Sequence, residues 1–251
     1  MLILSWRTIL SKRTGFGEIV EGINSVENAL DNDRLIELLV CGSPSQVRLK
    51  NVIDQCSLKG LEIKYIKSSD WEYSERYKVA AICNPKNYIS ESEFSLVKGT
   101  NIIVCLNLKD PNNIGAIARS ALAFNFLTLA IPKKRSSPIS SSVISSSAGA
   151  IENMNVLTFN SVFSLLKKMQ NNDYWAFGLE KVEEDSINIE NIVDSNVAIF
   201  VGNEKSGLSK ELIRKLDGVY SIDTSDSVES LNVSVAAGIL MEKIYNNNIK
   251  K

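Results

Sequence analysis

Histidine is absent from all 251 residues of the chain. It is the commonest general base in enzymes, and it completes Ser-His-Asp and Cys-His hydrolase sites as well as most zinc sites. The sequence therefore excludes those classes of enzyme. Any catalysis by this protein has to work without imidazole.

An excess of positive charge is also missing, because 28 Lys and Arg residues are balanced by 29 Asp and Glu residues. Proteins that coat nucleic acid without sequence preference usually carry a strong positive net charge. Contact with a nucleic acid would therefore depend on local basic patches. The hydrophobic share of 44% is that of an ordinary globular protein with a buried core.

Cysteine is scarce, and long apolar runs are missing. The four cysteines, Cys41, Cys56, Cys83 and Cys105, show neither a C-x-x-C pair nor metal-ligand spacing. We expect free or buried thiols in a reducing cytoplasm, and no metal. No run approaches the ~18 apolar residues of a membrane span. The apolar segment Met1–Trp6 precedes its basic residues, which is not signal-peptide order, so residues 1–14 are predicted to be a loose tail.

Alternating helical and strand patterns predict a small α/β/α domain over residues 15–85. Its predicted helices are Ile19–Leu30 and Val47–Leu58, and its predicted strands are Leu35–Val40, Leu61–Ile66 and Lys78–Cys83. Residues 86–99 break this pattern with polar residues after Pro85. That break predicts a linker.

Residues 100–251 predict a larger α/β domain. Ile102–Leu106 is a continuous apolar run, which is typical of a strand buried on both faces. Further strands are predicted at Leu127–Ile131, Val156–Phe159, Trp175–Leu179, Val197–Val201 and Val219–Ile222, and helices at Gly115–Phe124, Ser140–Ile151, Val162–Met169, Lys210–Leu216 and Asn232–Tyr245. This alternation predicts a mostly parallel sheet with helices on both faces. Such sheets bind ligands at the carboxyl ends of their strands, which directs attention to the loops after Leu106, Val201 and Ile222.

The first of these loops runs from Asp110 to Arg119 and opens a helix. Asn112 or Asn113 is predicted to cap that helix, and Gly115 to allow close approach of another backbone. A purely structural role explains these residues but not Arg119, which lies among small apolar neighbours. We expect its guanidinium one turn inside the crevice, where it suits a phosphate or an anionic intermediate.

The second loop, Gly202–Ser209, has the G-x-x-x-x-G spacing of a P-loop. A P-loop requires Lys followed by Ser or Thr next, and here Leu208 and Ser209 follow, so hydrolysis of a nucleoside triphosphate is excluded. The sequence also lacks G-x-G-x-x-G, which excludes a dinucleotide site of that type. In the third loop, Ser230 is predicted to cap the last helix, and Ser234, Ala237 and Gly238 to permit close helix packing.

Together the three loops resemble the SpoU (TrmH-like) family of RNA ribose 2′-O-methyltransferases, within the SPOUT superfamily. The resemblance rests on the segments 113–119, 202–208 and 230–238, which stand in the order of the family and cover roughly residues 101–245. The segment Gly22–Leu30 is similar to the start of a small ribosomal-protein-like RNA-binding domain. With that domain, the chain resembles the bacterial 23S rRNA guanosine 2′-O-methyltransferase branch.

The resemblance implies a deep trefoil knot in the larger domain and a homodimer whose active site is completed near the partner subunit. It implies S-adenosylmethionine as cofactor, bound by Gly202, Ile222, Leu231 and Ser234. The implied reaction centre is Asn113, Arg119, Glu204, Ser230 and Asn232. The family often has Gly-Ala-Glu where this chain has Gly-Asn-Glu, which keeps the glycine and the carboxylate. Because a guanidinium stays protonated, with a reference pKa of ~12.5 or higher, we expect Arg119 to act as an electrostatic clamp rather than as the base.

Lys133, Lys134 and Arg135 follow a predicted strand end. Such a run is usually a solvated loop, but its position at the sheet edge leads us to expect contacts with the RNA backbone. A base methyltransferase is disfavoured because its motifs would differ, and two further alternatives remain for the whole chain. One is a tRNA 2′-O-methyltransferase with the same catalytic domain, and the other is a catalytically silent RNA-binding factor in ribosome assembly.

Overall fold

The computed structural model describes residues 15–134, 138–181, 187, 196–203, 206–225, 227 and 230–249. They divide into two compact units, one made of residues up to Tyr88 together with Ile139–Asn153, the other of Ile89–Pro138 and Met154 onward. No helix in the described ranges is both long and apolar enough to cross a bilayer.

The strands are β1 (Gly15–Phe16), β2 (Ile19–Glu21), β3 (Leu35–Cys41), β4 (Glu62–Ile66), β5 (Val79–Cys83), β6 (Lys86–Asn87), β7 (Ile89–Ser90), β8 (Ile102–Cys105), β9 (Thr128–Pro132), β10 (Asn155–Phe159), β11 (Tyr174–Leu179), β12 (Asn196–Val201) and β13 (Gly218–Tyr220). The helices are α1 (Ile23–Asp31), α2 (Val47–Leu58), α3 (Pro111–Ala123), α4 (Ser141–Ser146), α5 (Val162–Gln170), α6 (Lys210–Ile213) and α7 (Val233–Ile249). Short 3₁₀ helices occupy Ser68–Asp70, Glu91–Leu96 and Ala150–Asn153.

The first unit contains a four-stranded sheet in the order β2-β5-β3-β4 and a two-stranded pair of β1 with β6. The predicted helix at Ile19–Leu30 is wrong in its first turn, because Ile19–Glu21 pairs with β5 and Gly22 turns the chain with a φ of 86°. A positive φ is easily adopted only by glycine, so α1 begins after it. The prediction for Val47–Leu58 is confirmed over its full length.

The segment Ile139–Asn153 belongs to the first unit, whereas the sequence predicts one continuous domain from residue 100 onward. Its predicted helix is broken, because α4 ends at Ser146 and the chain then turns through Ala148 and Gly149 with φ of 52° and 82°. The serine hydroxyls of α4 donate to backbone carbonyls one turn back, for example Ser146 Oγ to Ser142 O at 2.7 Å. Such bonds compete with regular helix geometry.

A buried ion pair anchors this segment in the first unit. Arg34 Nη1 donates to Glu152 Oε2 at 2.6 Å, and the Glu152 side chain is 0% exposed. The same guanidinium donates to Gly17 O at 2.6 Å and to Asn84 O at 3.1 Å. Burial raises the pKa of the Glu152 carboxyl, while Arg34 and Lys86 oppose that rise.

The second unit is built on a seven-stranded sheet in the order β13-β11-β12-β8-β9-β10-β7, with every neighbouring pair parallel. The four residues of β8 are fully buried, as the continuous apolar run predicts for a strand covered on both faces. Buried side chains of the sheet and of α5 and α6 form one hydrophobic core, including Val104, Leu157, Leu165, Phe200 and Leu212. The predicted parallel α/β sheet is thus confirmed.

Residues 86–99, predicted as a linker, carry regular structure. β7 joins the edge of the large sheet, and the 3₁₀ helix that follows has a capping box of Ser90 and Glu93. Phe94 and Val97 are buried in the core of the second unit. The S-x-x-E signature of that cap stands in the sequence at Ser90–Glu93 and indicates a helix start.

All four cysteines are buried free thiols, as predicted. Burial raises the pKa of the Cys83 thiol to about 12 and that of the Cys105 thiol further. Both thiols are therefore protonated at neutral pH and unreactive, because the thiolate is the nucleophilic form.

Candidate functional site

A cavity of about 450 Å³ lies at the carboxyl edge of the large sheet, and we refer to it as the loop cavity. It is formed by the segments that follow β11, β12 and β13 and by the start of α7. Its lining residues are Leu179, Glu180, Lys181, Gly202, Asn203, Ser206, Gly207, Leu208, Lys210, Ile213, Ile222, Thr224, Ser230, Leu231, Val233 and Ala236. The structure thus brings four of the predicted site residues to one wall, namely Gly202, Ile222, Ser230 and Leu231.

Ile222 reaches the cavity because β13 is shorter than the sequence predicts. The strand ends at Tyr220 rather than at Ile222, so Ile222 belongs to the loop that follows. A residue within the strand would be committed to the sheet, whereas a loop residue at this edge faces the ligand space that parallel sheets offer.

The loop after β12 folds back on itself over the cavity. Gly207 N donates to Asn203 O at 2.8 Å, and these two residues form an isolated antiparallel bridge. A Cβ at Gly202 would overlap the carbonyl group of Gly207. Glycine at 202 is therefore needed for the loop to close, and it leaves a smooth backbone wall.

Glu180 is a residue of the candidate site that the sequence reasoning missed. Its Oε2 accepts a hydrogen bond from Leu208 N at 2.7 Å, so the carboxylate fixes the returning strand of the loop. Gly207 has a φ of 57°, and a Cβ there would overlap the Glu180 carboxylate. The available signal was the position of Glu180 directly after a parallel strand, since that edge rule applies to the loop after Leu179 as well.

Two asparagines connect the first and third predicted loops. Asn232 Nδ2 donates to Asn113 Oδ1 at 3.0 Å, although the two residues are 119 positions apart. The other side of the Asn232 amide is also occupied, because Oδ1 accepts from Ser234 N at 2.9 Å and from Ser234 Oγ at 2.6 Å. Asn113 is buried on α3. This amide pair holds the start of α7 against the start of α3.

The predicted helix caps are wrong in both loops. α3 is capped by Asp110, whose Oδ1 accepts from Asn112 N at 2.9 Å, and Pro111 occupies the first helical position. α7 begins at Val233, so Asn232 rather than Ser230 provides the capping oxygen. Ser230 is exposed and lines the loop cavity instead.

Arg119 does not lie inside the crevice, contrary to prediction. It is exposed on α3 and is not part of the loop-cavity wall. The buried face of the helix is formed by Asn113, Ile114, Ile117, Ala118 and Ala121, which leaves position 119 on the opposite side. Long-range packing against the sheet and α7 decides which face is buried.

The remaining predicted site residues are placed elsewhere or fall outside the described residues. Ser234 lies in a shallow groove between α3 and α7 and not in the loop cavity. Lys133 and Lys134 are exposed after β9, and Lys134 lines a neighbouring cavity. Glu204 and Arg135 lie outside the described residues.

A model of the SpoU rRNA Methylase family matches residues 100–242, which is more than half of the chain. The chain belongs to this family. The resemblance carried by the three loops is thereby confirmed.

Individual members of the family match across most of the chain. The chain is 26% identical over 235 residues to the 23S rRNA (guanosine-2′-O-)-methyltransferase RlmB of Xanthomonas campestris, covering 88% of this chain and 93% of the relative. It is 28% identical over 235 residues, with the same coverage, to the protein of the same name from Xylella fastidiosa. The likeness therefore extends over both units.

Solved structures of the family share the fold. The SpoU methyltransferase AviRb from Streptomyces viridochromogenes, in complex with AdoMet, superposes with a TM-score of 0.79 at 16% identity, covering 99% of this chain and 98% of that chain. The AdoMet-bound rRNA methyltransferase of Sinorhizobium meliloti gives a TM-score of 0.72 at 18% identity, covering 91% and 86%. At these identities the comparison supports the architecture of a parallel sheet flanked by helices.

Proposed function

We propose that this chain transfers a methyl group from S-adenosylmethionine to a ribose 2′-hydroxyl of RNA, on a guanosine in 23S rRNA. The observation that carries the proposal is the convergence of the segments after β11, β12 and β13 on one cavity, with the Asn113–Asn232 pair at the start of the helix that follows. The relatives named for 23S rRNA guanosine methylation match nearly the whole chain. Since these relatives are bacterial rRNA methyltransferases, we propose that this protein acts in the cytoplasm.

The loop cavity fits S-adenosylmethionine in size and chemistry. Its volume of about 450 Å³ falls in the range of ~300–1,000 Å³ that is typical of small-molecule sites. Gly202 gives a backbone wall without a side chain, and Leu179, Ile222 and Leu231 give apolar walls. Charged side chains of both signs line the cavity, Glu180 together with Lys181 and Lys210, and the cofactor also carries both signs, in its sulfonium and ammonium groups and its carboxylate.

When bound, S-adenosylmethionine supplies a methyl group that is open to in-line displacement. The chain then has to bind the cofactor through Gly202, Ile222 and Leu231, which line the loop cavity, and to align the 2′-oxygen of the substrate. Such alignment can contribute ~7–11 kcal/mol of barrier reduction. We assign this alignment to Asn113, Ser230 and Asn232, because the Asn113–Asn232 hydrogen bond fixes the chain close to Ser230. Glu204 completes the reaction centre.

Arg119 completes the site from a second subunit. Its exposed position leaves it outside the loop cavity of its own chain, and it forms no hydrogen bond or ion pair with any residue in the described ranges. Beside it, small and apolar side chains line the groove between α3 and α7, and Val235 there is 50% exposed. A homodimer through this face would cover the groove and bring Arg119 to the partner's cavity. The guanidinium then grips an RNA phosphate and stabilises the developing alkoxide.

We also propose a knotted chain path in the second unit and two regions that contact the RNA. The segment before α7 returns to the loop after β12, and α7 then packs on α3, which supports a deep trefoil knot in residues 100–251. The first unit acts as a ribosomal-protein-like RNA-binding domain. Lys133, Lys134 and Arg135 contact the RNA backbone, and no metal takes part.

The proposal is tested with total RNA from cells that lack this protein, incubated with purified protein and S-adenosylmethionine. We expect one new 2′-O-methyl guanosine in 23S rRNA, together with a cofactor-dependent rise in melting temperature. Methylation of tRNA instead would reassign the substrate. Absence of both methylation and the thermal shift would overturn the assignment as an enzyme.

A further inference from the structure

A second cavity, of about 480 Å³, opens at the same edge of the large sheet, and we refer to it as the edge cavity. It is formed by residues after β8, β9 and β10 and by the segment around α6. Its lining residues are Leu106, Asn107, Pro132, Lys134, Phe159, Asn160, Val162, Gly207, Leu208, Ser209 and Leu212. Gly207 and Leu208 line both cavities, so the two cavities share a wall.

The floor of the edge cavity is apolar and firmly held. Phe159 is 2% exposed, and Leu208 and Leu212 are buried in the core of the unit. Val162 and Leu106 pack against the same core. The partly exposed side chains of Leu106, Pro132 and Val162 above this core leave an apolar surface that a planar ring can cover.

The rim, in contrast, carries polar side chains whose hydrogen-bonding groups are available. Asn107 and Asn160 are exposed, and in the described part of the chain neither side-chain amide makes a hydrogen bond. Asn107 is nevertheless fixed in place, since its carbonyl accepts from Asn203 Nδ2 at 3.1 Å. Each amide offers both a donor and an acceptor, which is the pattern that the edges of nucleobases require.

A positive charge stands at the same rim. Lys134 is exposed and has no ion-pair partner among the residues that the structure describes. Lys133 precedes it, and its backbone is tied to the sheet edge by a hydrogen bond from Lys133 N to Phe159 O at 2.9 Å. An ammonium group beside an apolar slot with amides suits the phosphate of a nucleotide whose base enters the slot.

We propose that the edge cavity binds an unpaired nucleobase of the RNA substrate. The base stacks on the apolar floor, Asn107 and Asn160 bind its edge, and Lys134 binds its phosphate. The inference rests on the proposed function, since it takes RNA as the substrate. It restricts that substrate to unpaired nucleotides, because a base in a duplex is stacked and its pairing edge is occupied. The shared wall of Gly207 and Leu208 places this nucleotide next to the cofactor.

Two substitutions with matched controls test the subsite. Asn107→Gly removes the amide while allowing the φ of 58° at this position. Asn125→Gly is its control, because Asn125 is exposed with a φ of 60° but precedes β9, away from the carboxyl edge of the sheet. Asn160→Ala is paired with the exposed Asn171→Ala. We expect the KM for 23S rRNA to rise about tenfold in each test variant and to stay unchanged in each control. The dissociation constant of S-adenosylmethionine should be the same in all four.

Photocrosslinking locates the base independently of turnover. A 23S rRNA transcript carrying 4-thiouridine or 6-thioguanosine should crosslink to peptides that contain Leu106–Asn107 or Phe159–Val162. Crosslinks confined to other peptides, or an unchanged KM in Asn160→Ala, would overturn the subsite. If Asn107→Gly loses cofactor binding, Asn160→Ala decides the question alone. Failure of the proposed function has a different signature, because the wild-type protein would then neither bind the cofactor nor methylate RNA.

Discussion

Two polar pairs join distant parts of the chain, and they serve different purposes. Arg34 and Glu152 lie 118 residues apart in the first unit, and Asn113 and Asn232 lie 119 apart in the second. The ionic pair is buried, with the Arg34 side chain 11% and the Glu152 side chain 0% exposed, and Glu152 Oε1 has no hydrogen-bond partner among the described residues. The amide pair is neutral and stands beside an open cavity. The buried ion pair holds the segment Ile139–Asn153 in the first unit. Neutral amides beside a cavity can position loops without the large desolvation cost of buried charges.

The largest effect on stability is expected from breaking the buried pair of Arg34 and Glu152. Glu152→Ala leaves the Arg34 guanidinium buried without its counter-charge, which should lower the free energy of unfolding by about 3–5 kcal/mol. The matched control is Asp33→Asn, which removes the charge of the exposed pair of Asp33 with Lys59, keeps a side chain that tolerates the φ of 52° at this position, and should cost less than about 1 kcal/mol. Urea denaturation followed by circular dichroism measures both. Equal losses in the two variants would show that burial does not distinguish these pairs.

The pH dependence of stability tests the protonation of Glu152 in the same pair. Because burial raises the pKa of Glu152, the folded protein holds this proton more tightly than the unfolded chain does. The contribution of the protonated Glu152 carboxyl to the free energy of unfolding is present below the ordinary glutamate pKa, and it is lost as pH rises through the raised pKa of the folded state. Glu152→Gln should flatten the stability profile across that window. A profile that keeps its slope in this variant would assign the slope to other groups.

The next largest effect, on the methylation rate, is expected at Arg119 in the second unit, which contains the loop cavity. Arg119→Lys should lower the single-turnover methylation rate on RNA about 100-fold, because the planar guanidinium is lost at a phosphate and alkoxide site. Cofactor binding should not change, since Arg119 is not in the loop-cavity wall. Arg214→Lys, at another exposed position, is the control. A near-normal rate in Arg119→Lys would remove Arg119 from the mechanism.

Subunit mixing separates a role in the chain's own site from one in the partner's site. A mixture of Arg119→Ala with Gly202→Ala protein should recover activity, because one site in a mixed dimer keeps both intact elements. Each variant alone should be inactive for a different reason, the second because a Cβ at 202 overlaps the Gly207 carbonyl. No recovery in a mixture that forms dimers would place Arg119 in its own subunit's site.

The sequence predicts the sheet and its loops better than it predicts either polar pair. Local patterns predicted the parallel sheet and two segments of the loop cavity, those after Val201 and around Ile222, because buried strands are continuous apolar runs and ligand loops follow them. The loop after Leu106, also predicted, lines the edge cavity instead. They placed Arg119 on the wrong face of α3, since the face that is buried depends on packing against α7, far along the chain. They missed the Arg34–Glu152 pair, because nothing near residue 34 indicates residue 152. Glu180 was missed because its loop carries no motif.

A smaller effect is expected at Asn232, where capping and bridging can be separated. Asn232→Asp keeps the oxygen that caps α7 but loses the amide that donates to Asn113. Asn232→Ala loses both, and its extra cost should be about 1 kcal/mol of stability from the missing cap. We expect both variants to lose about tenfold in methylation rate, the value of one hydrogen bond of ~1.4 kcal/mol. Full activity in Asn232→Asp would reduce Asn232 to a helix cap.

The smallest effect per residue is expected from the basic segment at the sheet edge. Changing Lys133, Lys134 and Arg135 to Gln should weaken RNA binding and lower the slope of log affinity against log salt, by about one for each phosphate that is no longer neutralised. Changing Lys167 and Lys168 on α5, and Lys215 after α6, to Gln gives a variant of equal net charge as control. Binding titrations over a range of salt concentrations measure the slope. If both triple variants shift the slope equally, the effect belongs to net charge, and the open edge of the sheet does not bind the RNA backbone preferentially.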